Sequence, residues 1–166
     1  MVSFCIIFWY YFKPLLKKVT EIGIDEITPI ITDHSERKII QPERINKILI
    51  SAMKQSVKAY LPKLNEAVSF NQFISNAKAN ESFIAHCQQE EKKMINQIYK
   101  MSHDILILIG PEGDFSRIEI EAAKGKGFKE VSLGHSRLRT ETAGIVACHT
   151  INYIYDSVCP WTNTTN

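Results

Sequence analysis

The stretch ILIGPEGDFSRIEIEAA, from Ile107 to Ala123, decides how the chain is read. Its first residues close the apolar run DILILIG (Asp104 to Gly110). A continuous run of that kind is the pattern of a strand covered on both faces. The run stops at Gly110-Pro111-Glu112-Gly113, and a helix-start signal follows. Ser116 and Glu119 have the spacing of a capping box, in which each side chain bonds the other residue's backbone N–H. The helix they open is expected to reach about Gly125. A second junction of the same kind lies in VSLGHSRLRTETAGIVA, Val131 to Ala147. There a short strand, Glu130 to Leu133, gives way to a helix with Thr140 as its N-cap. That helix extends to about Tyr155, with Ile145, Val146, Ile151 and Ile154 on its apolar side.

Working back toward the N-terminus, the same alternation continues. Leu15, Leu16, Val19 and Ile22 share one helical face, and Gly23 follows where a helix end is expected. DEITPIIT (Asp25 to Thr32) reads as a short strand, with Pro29 marking an edge or a bulge. Pro42 opens a helix at the position where a missing N–H costs nothing. Ile45, Ile48, Leu49, Ala52, Met53 and Val57 form its buried stripe. Ser69 and Gln72 make another capping box, so a short helix through Ala77 is expected. Ser82 to Cys87 reads as a strand, and the charged stretch after it as either a helix or a connector. Strands alternating with helices give an α/β domain with a mostly parallel sheet flanked by helices.

The 166 residues suit one domain, and 45% hydrophobic content is enough for a sizeable core. A net charge of +2 neither requires nor excludes a nucleic-acid partner. Cys5, Cys87, Cys148 and Cys159 form no C-x-x-C pair, and no histidine stands at ligand spacing from them. Reduced, mostly buried thiols in a cytoplasmic protein without metal are expected. Val2 to Phe12 is apolar but shorter than the roughly 20 residues a membrane span needs. It reads as a buried strand running into a helix, and no membrane partner is expected. The segments are therefore 1–14, atypically apolar, a main domain at 15–158, and a flexible tail at 159–166.

In an open parallel sheet, ligands sit beyond the carboxyl ends of the strands, where both junctions lie. Glycines there let the backbone approach a ligand and present its own N–H and C=O groups. The lysine of a P-loop is missing from GPEGDF, and G-x-G-x-x-G occurs nowhere. Binding through phosphates is therefore disfavoured. An adenosine without phosphate fits, and so does a tight turn with no ligand at all.

Together, IGPEGDFS followed by E-x-E-x-A and VSLGHSRLRTETA resemble the uridine-N3 methyltransferase family that acts on small-subunit (16S) ribosomal RNA, of the SPOUT class. KKVTEIGIDEITPI, HSERK and SAMKQS resemble further family segments in the same order, so the match runs from about Leu15 to Tyr155. The resemblance implies a deep trefoil knot at the C-terminal end of the α/β sheet, a homodimer, and S-adenosylmethionine as methyl donor. It implies one cofactor loop at Ile109, Gly110, Pro111, Glu112 and Gly113, and another at Leu133, Gly134, Leu138, Arg139 and Thr140. The strand end at Thr28 and Pro29 would close the pocket. Family members carry a PUA-like barrel that helps grip RNA ahead of this domain. The chain is expected to lack it. Asp114 stands where many members have a second glycine and reads as a tolerated variation.

Methylation at N3 requires loss of the imide proton and in-line attack on the methyl group. Arg139 is the candidate for stabilising charge on the uracil oxygens or for contacting phosphate. Glu141 is the candidate base, although a glutamate in a first helical turn also suits the helix dipole. Glu112 divides between ligand contact and capping. Arg37, Lys38, Lys54 and Lys58 are candidate RNA contacts, the last two being four apart on one helix face. His135 and His149 read as ordinary polar or packed residues. The leading expectation is a methyltransferase with small-subunit ribosomal RNA as partner. The alternatives are a weakly active cofactor- and RNA-binding remnant, or a SPOUT enzyme with another RNA target.

Overall fold

The computed structural model describes side chains and backbone for residues 13–35, 41–88, 91–101 and 104–158, and backbone alone for 2–6. Strand β1 (Val2–Ile6) precedes helix α1 (Lys13–Ile22), β2 (Glu26–Ile27), β3 (Ile30–Ile31) and α2 (Pro42–Gln55). Next come β4 (Lys63–Leu64), β5 (Val68–Ser69), α3 (Phe70–Asn76) and β6 (Glu81–Ala85). The chain ends with α4 (Ile95–Ile98), β7 (Ile105–Ile109), α5 (Arg117–Gly125), β8 (Lys129–Val131) and α6 (Thr140–Val158).

Six strands form one sheet in the order β4-β2-β1-β7-β6-β8, and every pairing in it is parallel. β7 lies in the interior with β1 and β6 on its two sides, aligned Val2 to Ile105 and Glu81 to Ile105. All five of its residues are buried, as its unbroken apolar run requires. The strand period of two then divides them between two cores. Ile105, Ile107 and Ile109 pack with α1, α2 and α6 through Leu15, Val19, Leu49 and Ile151. Leu106 and Leu108 face the other side, with Phe70, Phe115 and Ile120 around α3 and α5. Because the strands are parallel, the loops after β6, β7 and β8 all leave from one end of the sheet.

Several expectations change. Pro29 directly precedes β3, an edge strand of a two-stranded sheet, whereas β2 before it lies between β4 and β1. The DEITPIIT strand breaks at Thr28 and Pro29. The chain then moves to a separate two-stranded pair, β3 with β5. Proline has no N–H to give a ladder, but its carbonyl still accepts the Val68 N–H at 3.1 Å. α2 stops at Gln55, and Val57 is 90% exposed with φ 54°, so it leaves the buried stripe. β6 ends at Ala85, which puts His86 and Cys87 in a loop. Among its described residues the undecided charged stretch holds the four-residue α4, preceded by a bridge from Met94 to Ser132. At α6 the Arg139 carbonyl accepts the Ala143 N–H at 2.8 Å, so Arg139 rather than Thr140 is the N-cap position.

Of the two cysteines whose side chains are described, Cys148 is buried and Cys87 is exposed. Burial pushes the Cys148 thiol up to about 12. Among the described residues no helix is long and apolar enough to cross a membrane, and no cluster of three or more metal-ligating side chains occurs.

A candidate cleft at the ends of three strands

The loops following β6, β7 and β8 enclose a cleft of about 260 Å³. β7 and its loop contribute Ile109, Gly110, Pro111 and Asp114. The β8 loop contributes Leu133, Gly134 and Leu138, backed by Thr140 and Ala143 of α6. A third wall comes from His86, Cys87 and Gln88 after β6, together with Lys92.

The glycines serve different ends. Gly134 has φ +143°, which side-chain-bearing residues rarely adopt, and a Cβ there would meet nothing within 4 Å. It sets the loop's path and leaves the space beside it open. At Gly110 a Cβ would stand 3.0 Å from Asp114 Oδ1 and 3.2 Å from the Phe115 ring. At Gly113 it would stand 2.9 Å from His34 Cβ, so that glycine permits the loop after β3 to pack against the β7 loop.

Three loops meet at Asp114. Its Oδ2 accepts the Cys87 N–H at 2.8 Å, and its Oδ1 accepts the Phe115 N–H at 2.9 Å. Its carbonyl accepts from His34 Nδ1 at 2.8 Å. A carbonyl can only accept, so His34 carries a proton on Nδ1. Close by, Ser116 Oγ donates to Asp33 Oδ2 at 2.7 Å, and Glu119 Oε1 accepts the Asp33 N–H at 3.0 Å. The capping box read from the sequence therefore also ties down the loop that leads to Arg37.

The β6 wall is held by a buried histidine. Lys92 Nζ donates to the carbonyls of His86 (2.6 Å) and Gln88 (2.8 Å), and approaches His86 Nδ1 at 3.1 Å. The Gln88 N–H also points to that nitrogen, at 3.3 Å. Nδ1 is therefore an acceptor, and Nε2–H donates to Glu130 Oε1 at 2.9 Å. Lys92 binds the protein's own backbone here and is not placed as a phosphate clamp. On the β8 side, the backbone N–H groups of residues 135–138 have no hydrogen-bond partner among the described residues. Ile109, Leu133, Leu138 and Ala143 add apolar surface next to them. Apolar walls with free backbone amides suit a nucleoside-like ligand without phosphate.

Seven sequence candidates come together in this cleft: Ile109, Gly110, Pro111, Leu133, Gly134, Leu138 and Thr140. Glu112 and Gly113 are exposed and do not line the cleft, and neither do Arg139 and Glu141. Thr28 lines a separate cleft of about 280 Å³ at the ends of β2 and β4, while Pro29 lines neither. Arg37 and Lys38 lie outside the described residues. Lys54 and Lys58 do not share a helix face, because α2 ends between them. Lys58 Nζ reaches the Ile22 carbonyl at 3.3 Å, before β2, at the end of the sheet opposite the cleft.

The sequence reading missed the whole β6 wall, together with Asp114. Ending that strand at Cys87 hid residues that the carboxyl-end rule would have flagged two positions earlier. His135, a polar residue of the β8 loop, also lines the cleft.

A family model described as an RNA methyltransferase domain matches residues 4–152. The ribosomal RNA small subunit methyltransferase E of Rickettsia conorii is 33% identical over 138 residues, covering 80% of this chain and 55% of that protein. The protein of the same name from Synechocystis is 32% identical over 155 residues, covering 88% of this chain and 50% of its own. The chain thus spans about half the length of these relatives. A "probable rRNA-methyltransferase" structure from Porphyromonas gingivalis superposes with a TM-score of 0.85 at 42% identity, covering 93% of this chain and 68% of that one. A Legionella pneumophila protein solved "in complex with the bound cofactor SAM" superposes at 0.82 with 29% identity, covering 92% of this chain and 66% of that one.

Proposed function

This chain belongs to the RNA methyltransferase domain family, and from that premise we propose that it methylates N3 of a uridine in small-subunit ribosomal RNA. The carrying observation is the cleft between the two glycine junctions, with its apolar walls and, on its β8 side, amides of residues 135–138 that have no partner among the described residues. Similarity to small-subunit ribosomal RNA methyltransferases, and to a protein solved with SAM, supports S-adenosylmethionine as the ligand. When bound, it would supply a methyl group on a cationic sulfur.

The chain's own residues do the rest. Ile109, Leu133 and Leu138 would supply apolar walls for the cofactor, while Gly110, Pro111, Gly134 and Thr140 would offer it backbone and hydroxyl groups. Arg139 stabilises the negative charge that spreads onto the uracil oxygens, and Glu141 accepts the N3 proton. The family resemblance further supports a trefoil knot formed by the two junctions, a homodimer and a cytoplasmic location. We assign the methyltransferase unit to 15–158 together with β1, which pairs between β2 and β7 in the same sheet.

A second reading is a weakly active cofactor- and RNA-binding protein. It is favoured by one observation, that neither Arg139 nor Glu141 lines the cleft. Incubating the purified chain with small ribosomal subunits and methyl-labelled cofactor separates the two. The expected product is N3-methyluridine at one position by mass mapping. Cofactor binding with no label in the RNA favours the weakly active form. Label on another RNA overturns the substrate assignment.

A further inference from the structure

We propose that Asp114 sets the cleft's preference for a cationic sulfonium ligand over the neutral thioether that methyl transfer leaves behind. The proposal rests on the cofactor reading above and adds to it a residue with a defined chemical task. Among the described residues lining the cleft, Asp114 is the one carboxylate, whereas Lys92 and Arg137 are basic. Among the described residues lining the cleft, Asp114 thus supplies the negative side-chain charge.

The carboxylate is also fixed in place. The Cys87 and Phe115 N–H groups bind its two oxygens from different loops, which holds the carboxylate at the cleft wall. Its backbone takes φ 62°, a conformation better suited to glycine, held by its N–H on the Pro111 carbonyl at 2.8 Å and by His34 on its own carbonyl. A strained position kept by four hydrogen bonds, with its charge beside a ligand cleft, is a site where backbone strain accompanies function. A fixed negative charge in a partly enclosed cleft is screened less than one on open surface. It therefore acts on the methyl donor, whose sulfur is cationic, and much less on the demethylated product.

Calorimetry with S-adenosylmethionine and S-adenosylhomocysteine tests this on the wild-type chain, Asp114→Asn and Asp114→Gly. The glycine variant accepts φ 62° without strain, so it reports on the charge even where the asparagine variant folds poorly. In both variants the affinity ratio of donor to product should fall about tenfold, with product affinity changing less. Equal weakening of both ligands means that Asp114 only holds the loops, and it overturns the proposal, as does an unchanged ratio. Failure of the wild-type chain to bind either ligand instead overturns the methyl-donor reading, and this inference with it.

Discussion

Arg139 occupies two positions at once in the chain's logic. Its carbonyl caps α6 through the Ala143 N–H, and its exposed side chain stands next to the cleft-lining Leu138 and Thr140. Truncating the side chain leaves the cap intact because the cap is made by the backbone. Arg139→Ala should therefore cut methyl transfer about a hundredfold, the scale of losing one charge-stabilising donor. Affinity for S-adenosylmethionine should stay within about threefold, since the side chain is outside the cleft wall. Comparing single-turnover rates with calorimetry checks this, and undiminished transfer removes Arg139 from the mechanism. At this scale the sequence was informative where a residue type has few uses. Gly110, Pro111 and Gly134 could be read as backbone devices because their chemistry allows little else. Asp114 could not, because its partners Cys87 and His34 are distant in the chain.

Helix α5 shows how an element does more than its local signal says. Ser116 Oγ accepts the Glu119 N–H at 3.3 Å, and Glu119 Oε2 accepts the Ser116 N–H at 2.9 Å, which is the capping box expected from spacing. The second carboxylate oxygen of Glu119 holds the Asp33 N–H, and the residue is only 5% exposed. Glu119→Ala thus removes a charged acceptor from the backbone donors of Asp33 and Ser116, in two segments. It should cost about 1–3 kcal/mol of stability, read from a shift in the urea midpoint. A change within about 0.5 kcal/mol would mean that water replaces the carboxylate. At Gly113 an added methyl group collides with His34 Cβ. Gly113→Ala should lower the melting temperature and release the His34 bond to Asp114, which NMR of the imidazole would detect. An unchanged imidazole environment would show that the loop after β3 yields instead.

Across the whole molecule, the core between the sheet and helices α1 and α6 controls the chemistry of the thiol buried within it. Cys148 sits between these helices, next to Val19, and burial is the main cause of its raised value. In the unfolded chain it ionises near its ordinary 9.0, and in the folded one near about 12. Between those values the unfolded state loses the proton first. The stability this group contributes is full below 9.0 and is lost as pH rises toward about 12. The urea midpoint should fall from about pH 8 to about pH 10, and less steeply in Cys148→Ala. Equal slopes would assign the loss to other groups. In the native protein an alkylating reagent should modify Cys87 and spare Cys148, as peptide mass mapping can test.

The sequence by itself determined the α/β alternation, the interior strand at Ile105–Ile109 and the helix starts at Ser69 and Ser116. It also located two of the three cleft walls. These features rest on local rules: side-chain period, missing N–H groups, and capping partners three residues apart. The tertiary structure alone decided the rest. It broke the Asp25 to Thr32 segment between two sheets and brought the β6 loop to the cleft. It set Lys58 at the far end of the strands and joined three loops at Asp114. Each of these depends on hydrogen bonds or packing between segments separated by 27 to 86 positions. No pattern along the chain encodes such contacts, because they exist only once parallel strands have aligned their carboxyl ends.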